Sequence, residues 1–262
     1  MSTTALSPSL QSLVDALCKA RHQPTQLADA TALAGALTHA DDAYAVQQAV
    51  AEALGWFPSG PARHWKSGGP SRDAVLTHAP LPPAGVWPSP ATTALPFSMR
   101  GIEAEIALRL AVPVDAAKAA ALTPETAGAL VDAMTVSIEV VDSRWLQGRQ
   151  ASALAKLADL QVHGALVLGE WVAYDASRDW AGQTCQVQIG NALAQTFKGT
   201  HSLGDPAWLL PTWLRHATRH GDVMPAGTVV TTGTWCGILM AQPGDAVTAV
   251  FEGVGEARLR FA

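Results

Sequence analysis

The stretch Gly101-Ile102-Glu103-Ala104-Glu105-Ile106-Ala107-Leu108 sets two carboxylates inside an otherwise apolar run. Residues two apart in a strand project to the same face, so Glu103 and Glu105 stand side by side among neighbours that argue for burial. Two like charges so close cannot both stay ionised in a dry site without compensation. Either both face solvent on an edge strand, or a cation sits between them. All-oxygen coordination would favour a hard divalent ion such as Mg²⁺ or Mn²⁺. A second segment, Ser137-Ile138-Glu139-Val140-Val141-Asp142, places Glu139 in similar apolar surroundings, where it is either a third oxygen ligand or a surface residue.

The rest of the chain is compatible with a packed site. It has 262 residues, 48% of them hydrophobic, enough for one large domain, or one domain with a small appendage, around a sizeable core. Charged residues make up only 15%, the formal net charge is −5, and no basic run occurs. A protein that grips a nucleic-acid backbone through Lys and Arg is thereby excluded. No apolar stretch approaches the ~20 residues that cross a bilayer, and the opening residues carry no positively charged leader. Cys18, Cys185 and Cys236 lie far apart without CxxC spacing, which suggests neither a disulfide framework nor a thiolate metal site. The expectation is a cytoplasmic protein with a small-molecule partner, no nucleic acid and no membrane.

Apolar residues at spacings of three and four predict a helix around residues 10–17. A second starts at Thr38 as N-cap, with Asp41 and Asp42 in its first turn, and stops at Gly55. Between residues 56 and 96, Pro and Gly punctuate short apolar pieces, which reads as a functional loop or lid. Beyond it, residues 102–110, 135–141, 166–169, 187–189, 229–232, 246–251 and 257–261 read as strands, and 124–132 and 206–220 as helices. Strands interrupted irregularly by helices indicate an α+β fold with a mixed, largely antiparallel sheet.

Further candidates for chemistry are single residues. Lys66 follows Trp65 and precedes Ser67-Gly68-Gly69, a loop in which an ammonium can meet an anion; a lone Lys is otherwise a solvated surface residue. The glycines and hydroxyls of Thr231-Thr232-Gly233-Thr234 either cradle a carboxylate through backbone N–H groups or form a turn. Arg144 pairs with Asp142 or contacts substrate. Among eight histidines there is no zinc spacing, and no nucleophile elbow, phosphate loop or dinucleotide fingerprint occurs.

Taken in order, Asp42-Ala43-Tyr44, Trp65-Lys66-Ser67-Gly68, Gly101–Ala107, Ile138–Arg144, Ala158-Asp159, Leu203-Gly204-Asp205-Pro206, Pro243-Gly244-Asp245 and Phe251–Gly255 resemble the fumarylacetoacetate hydrolase superfamily, in its 2-keto-4-pentenoate hydratase branch. The resemblance implies a mixed β-sheet roll with an N-terminal helical portion, placed here at residues 1–75 with the catalytic roll at 76–262, and a homo-oligomer. It makes Glu103, Glu105 and Glu139 ligands of Mg²⁺ or Mn²⁺, and Lys66, Asp159 and His163 candidate catalytic residues; Gly233, Thr234 and Arg144 become candidate substrate contacts. The implied reaction adds water to a 2-hydroxy-2,4-dienoate, a 2-oxo acid of aromatic catabolism, with the cation as Lewis acid at the 2-oxygen. The segment Asp159-Leu160-Gln161-Val162-His163-Gly164 departs from the branch, which has an amide and hydroxyls there, and residues 232–237 look closer to the hydrolase and isomerase branch. Decarboxylation of a vinylogous 2-oxo diacid, C–C hydrolysis of an acylpyruvate, and a non-catalytic binder on the same scaffold are the alternatives. His163 is an acid/base in the first two or else a packing histidine.

Overall fold

The computed structural model describes residues 6–262, so the first five residues of the expected helical portion lie outside the described residues. Helix α1 (Pro8–His22) opens with the Ser7 hydroxyl accepting from the Leu10 N–H and buries Leu13, Val14, Leu17 and Ala20 along one stripe. After a single turn, α2 (Ala30–Leu33), comes α3 (Ala40–Ala53). Its N-cap is His39 rather than Thr38, because the Asp42 carboxylate reaches back to the N–H groups of both residues, at 2.9 and 2.8 Å. Gly55, at φ +61, follows its end. These helices share an apolar cluster with Trp145, Ala155 and Leu157.

The Pro-rich stretch, expected as a functional loop or lid, is built into the sheets. It supplies four short strands, β1 (His64–Gly68), β2 (Thr77–Pro80), β3 (Val86–Pro88) and β4 (Ala91–Thr93). Proline lacks the N–H that a central strand needs, and three of the four run along sheet edges. The long strands β5 (Gly101–Leu110) and β6 (Val131–Val141) flank two short helices, α4 (Ala116–Ala121) and α5 (Pro124–Ala127). The expected helix at 124–132 stops early because β6 begins at Val131. There follow α6 (Ala153–Ala158), β7 (His163–Leu168), β8 (Val172–Ala173), β9 (Thr184–Ile189), β10 (Gln195–Lys198) and α7 (Leu210–Ala217). The chain closes with β11 (Val229–Thr231), β12 (Leu239–Met240), β13 (Ala246–Phe251) and β14 (Gly255–Phe261).

The strands form two sheets, ordered β2-β1-β11-β5-β6-β7-β3 with β12 and β8 off the path, and β10-β9-β13-β14-β4. Pairing is antiparallel except for β1 with β11, β3 with β7 and β14 with β4, the mixed α+β roll expected. Through β1 the large sheet reaches back past residue 75 to His64. Ile102, Ile106, Ile138 and Val140 of the large sheet share one core with Val247, Phe251, Leu259 and Phe261 of the small one. Period-two alternation then turns Glu103, Glu105, Ser137 and Glu139 to the opposite face. Among the described residues no helix is long and apolar enough to cross a membrane.

Candidate active site

The β5–β6 register sets Glu103 directly opposite Glu139 and Glu105 opposite Ser137. Like charges facing each other across a ladder repel, yet Glu105 and Glu139 are buried and oxygens from all three glutamates lie within 4.8 Å of one another. Three features manage that repulsion. Lys66, which lies in strand β1 rather than in a loop, donates from Nζ to Glu139 Oε1 at 2.5 Å. His163 Nδ1 lies 3.0 Å from the same oxygen, where an N–H suits a carboxylate acceptor. Glu105 Oε2 accepts from the Thr231 hydroxyl and from the Gly233 N–H, the latter at 3.1 Å. The Thr-Thr-Gly turn thus cradles a carboxylate of the protein itself, and Ser137 donates in turn to Thr231 Oγ1 at 3.0 Å.

The protonation of the cluster follows. Burial pushes the Glu103 carboxyl up to about 8, Glu139 and Glu105 adding to the rise and Lys66 opposing it. Glu105 rises to about 7 by burial, with Glu139 adding and Lys66, Thr231 and Gly233 opposing. Burial acts to raise Glu139 too, but Lys66 and His163 outweigh it and hold that group below the ordinary range. Burial acts to lower the Lys66 ammonium, and the three carboxylates more than reverse this. The His163 imidazole is lowered by its burial.

The three carboxylates fit a divalent cation by an observation of their own. Glu139 Oε1 is taken by Lys66 and His163, while Oε2, equally buried, has no partner. A buried carboxylate oxygen without a partner is costly, and it belongs to the trio of hard oxygen donors that suits Mg²⁺ or Mn²⁺.

A cavity of about 500 Å³ opens onto Lys66, Glu103 and Glu105, with Thr77, Val141, Leu157, Gln161, Val162, Gly233, Thr234 and Ile238 among its walls and Lys156 as a second cation. Asp159 and Arg144, candidates for catalysis and substrate contact, do not line it. Arg144 Nε donates to Asp159 Oδ1 at 2.6 Å, Arg21 joins the same oxygen at 3.0 Å, and the Arg144 N–H donates to Oδ2 at 2.9 Å. Asp142, the partner expected from sequence, stands 3.8 Å from Arg144. These charges neutralise one another outside the walls of that cavity. His163 is likewise absent from the wall and acts on Glu139 alone.

Between Asp159 and His163, three consecutive non-glycine residues adopt left-handed backbone: Leu160 at φ 53, Gln161 at φ 56 and Val162 at φ 56. Each costs roughly 1–2 kcal/mol, and a β-branched residue such as Val162 is rare there. The turn brings the Gln161 carbonyl to 3.3 Å from Lys66 Nζ and the Gln161 amide to the Thr77 hydroxyl. Gln161, Thr77 and Lys156 carry no motif that would single them out in the sequence; only the unusual segment 159–164 points near them.

Residues 60–262 match the family described as fumarylacetoacetate (FAA) hydrolase C-terminal. A curated relative, 4-oxalocrotonate decarboxylase of Pseudomonas putida, is 24% identical over 133 residues, 51% of this chain, and the match spans about half (50%) of the relative's own length. The 4-oxalocrotonate decarboxylase from Pseudomonas putida G7, in complex with magnesium and adipate, superimposes with a TM-score of 0.84 at 19% identity, over 100% of both chains. Its complex with calcium and acetate gives 0.82 at 18%, again over 100% of both. At these identities the likeness establishes the shared fold.

Proposed function

The chain belongs to the fumarylacetoacetate hydrolase family, and on that premise we propose that it is a divalent-metal-dependent lyase that decarboxylates a vinylogous 2-oxo diacid arising in the breakdown of aromatic compounds. The observation that carries this reading is the composition of the cavity wall. Beyond the carboxylates, Val141, Leu157, Val162 and Ile238 make much of it apolar, and two cations line it, Lys66 beside the glutamates for the 2-oxo end of a substrate and Lys156 for a second carboxylate. Such a wall suits loss of a neutral gas better than placement of an attacking water. The structures of the similar decarboxylase, with magnesium and adipate or calcium and acetate, support a divalent ion and a carboxylate ligand.

Glu103, Glu105 and Glu139 would hold the cation, which when bound supplies Lewis acidity towards the 2-oxo group. The remaining roles belong to side chains of this chain. His163 holds Glu139 in orientation by the Nδ1 contact. Thr231 and Gly233 do the same for Glu105. An ammonium has three N–H donors; Lys66 gives one to Glu139 and one to Gln161, leaving one for substrate, where it favours negative charge developing on the 2-oxygen as the C–C electron pair is delocalised. Gly233 and Thr234 form one side of the cavity.

Hydration of a 2-hydroxydienoate is the second reading. It is favoured by the Gln161–Thr77 polar pair at the wall, which offers hydrogen-bonding groups to a water. Incubation of the Mg²⁺-loaded protein with an oxalocrotonate, a 2-hydroxydienoate and an acylpyruvate, followed by mass analysis, distinguishes the readings: CO₂ lost from the diacid is expected. Water gained by the dienoate, or a cut acylpyruvate, replaces this proposal by its alternative, and no turnover with metal bound makes the protein a binder. Lys156→Met is expected to raise KM for the diacid about tenfold, the worth of one charge-assisted contact, while leaving a monocarboxylic 2-oxo acid unaffected.

A further inference from the structure

The left-handed turn and the buried ions beside it form one device. Strain of this kind persists only where the surroundings over-determine it, and both ends of the turn are clamped. Upstream, Asp159 is held by Arg21 and by both the side chain and the backbone N–H of Arg144, and its carbonyl accepts from the Val162 N–H at 2.9 Å. Downstream, the Val162 carbonyl accepts from the Asp142 N–H at 2.8 Å, and His163 is tied to Glu139. Gly164 sits so close to its neighbours that a Cβ there would lie 2.8 Å from Asp142 Cβ and from the Val140 carbonyl oxygen. The turn buries Leu160 and Val162 and leaves Gln161 between them at the cavity wall. Its visible product is the position of Gln161, whose carbonyl meets Lys66 and whose amide meets Thr77.

We propose that the Leu160–Val162 turn is the positioning element for Lys66: Gln161, through its main-chain carbonyl, fixes the ammonium so that its remaining N–H faces the cavity, and the Asp159–Arg144–Arg21 ion pairs serve to keep the turn left-handed. Asp159, Arg144 and Arg21 are then positioning residues acting through the backbone. The inference rests on the reading of Lys66 as the group that meets a substrate anion.

The test uses the Mg²⁺-loaded protein with oxalate, a two-oxygen mimic of a 2-oxo acid, as calorimetric probe. Asp159→Asn weakens the clamp while keeping its shape. Oxalate affinity is expected to fall about tenfold, the worth of one charge-assisted hydrogen bond, with Mg²⁺ affinity unchanged. Adding Val162→Gly, which takes up a positive φ freely and leaves both the Gln161 carbonyl and its amide in place, is expected to restore most of the loss. A merely structural role for Asp159 would lower the melting temperature without such rescue. Thr77→Val, which releases only the Gln161 amide, is the second variant should Asp159→Asn fail to fold; a severalfold loss of oxalate affinity with unchanged melting is expected. Oxalate affinity unchanged in the folded variants, loss of Mg²⁺ together with oxalate, or absence of glycine rescue overturns the proposal. Failure of the wild-type protein to bind oxalate at all counts instead against the functional reading beneath it.

Discussion

Replacing Lys66 by methionine removes the cation that three carboxylates share while keeping the length of the side chain. Lys66 is only 12% exposed and its partner Glu139 is fully buried, so solvent does little to screen what is left behind. Breaking a buried pair by deleting one member typically costs about 3–5 kcal/mol, a large part of the roughly 5–15 kcal/mol that holds a domain together. In metal-free protein the Lys66→Met deficit is expected in that range at pH 8. It shrinks on adding Mg²⁺, because the variant lacks the ammonium that competes for the same carboxylates and binds the ion more tightly than the wild type; at saturation each tenfold ratio of dissociation constants narrows the deficit by about 1.4 kcal/mol. The dependence on pH has a definite sign. Glu103 and Glu105 titrate at about 8 and about 7 in the folded chain against an ordinary 4.5. The folded state therefore carries extra protons across that window, and metal-free stability falls as pH rises through it. Loss of Lys66 steepens the fall. Urea denaturation at pH 6 and pH 8, in EDTA and in Mg²⁺, reads all of these quantities. A deficit under about 1 kcal/mol, the scale of an exposed pair, or one equal with and without Mg²⁺, refutes the reasoning.

Glu103→Ala combined with Glu105→Ala is expected to abolish divalent-ion uptake by calorimetry, and persistence of stoichiometric binding would remove the metal centre from β5. Uptake of Mg²⁺ at pH 6.5 releases protons, since the raised carboxyls of Glu103 and Glu105 must ionise to bind; the heat of binding then varies with the ionisation enthalpy of the buffer, and invariance contradicts the prediction. His163→Phe is expected to weaken metal affinity about 10–100-fold by freeing Glu139, with unchanged affinity assigning His163 to packing. Thr231→Val deprives Glu105 of a hydrogen bond to a charged group and is expected to cost about 1.5–3 kcal/mol in metal-loaded protein, checked by thermal unfolding in excess Mg²⁺.

The clustering of Glu103, Glu105 and Glu139 was legible because period-two alternation continues through each of their strands, so the strand pattern itself places the acids on a common face. Lys66 stood out by its place between Trp65 and two glycines, but its segment His64-Trp65-Lys66-Ser67-Gly68 reads as a loop and becomes a strand by pairing with β2 and with the distant Val229–Thr231. Arg144 was matched to Asp142, two positions away, whereas its tight partner Asp159 lies fifteen away and is brought in by the end of α6. The turn at Leu160–Val162 was invisible for a stronger reason: leucine and valine have no intrinsic preference for positive φ, and tertiary clamps alone impose it. The short strands within the Pro-rich stretch, which reads as a loop or lid, are hidden because proline punctuates loops and edge strands alike.

That stretch has a consequence for how the molecule behaves in a crowded solution. A sheet margin with free N–H and carbonyl groups is a template onto which another chain can zip. Here β2 ends on Pro80, β3 on Pro88, and β4 follows Pro90, so a residue that cannot donate sits in or beside three of the four strands that end the two main strand orders. The fourth is β10, Gln195–Lys198, which has no proline and whose hairpin tip bears the 91% exposed Leu193. If this protein ever grows into fibres or swaps strands with its neighbours, that margin is where the first rung will be laid.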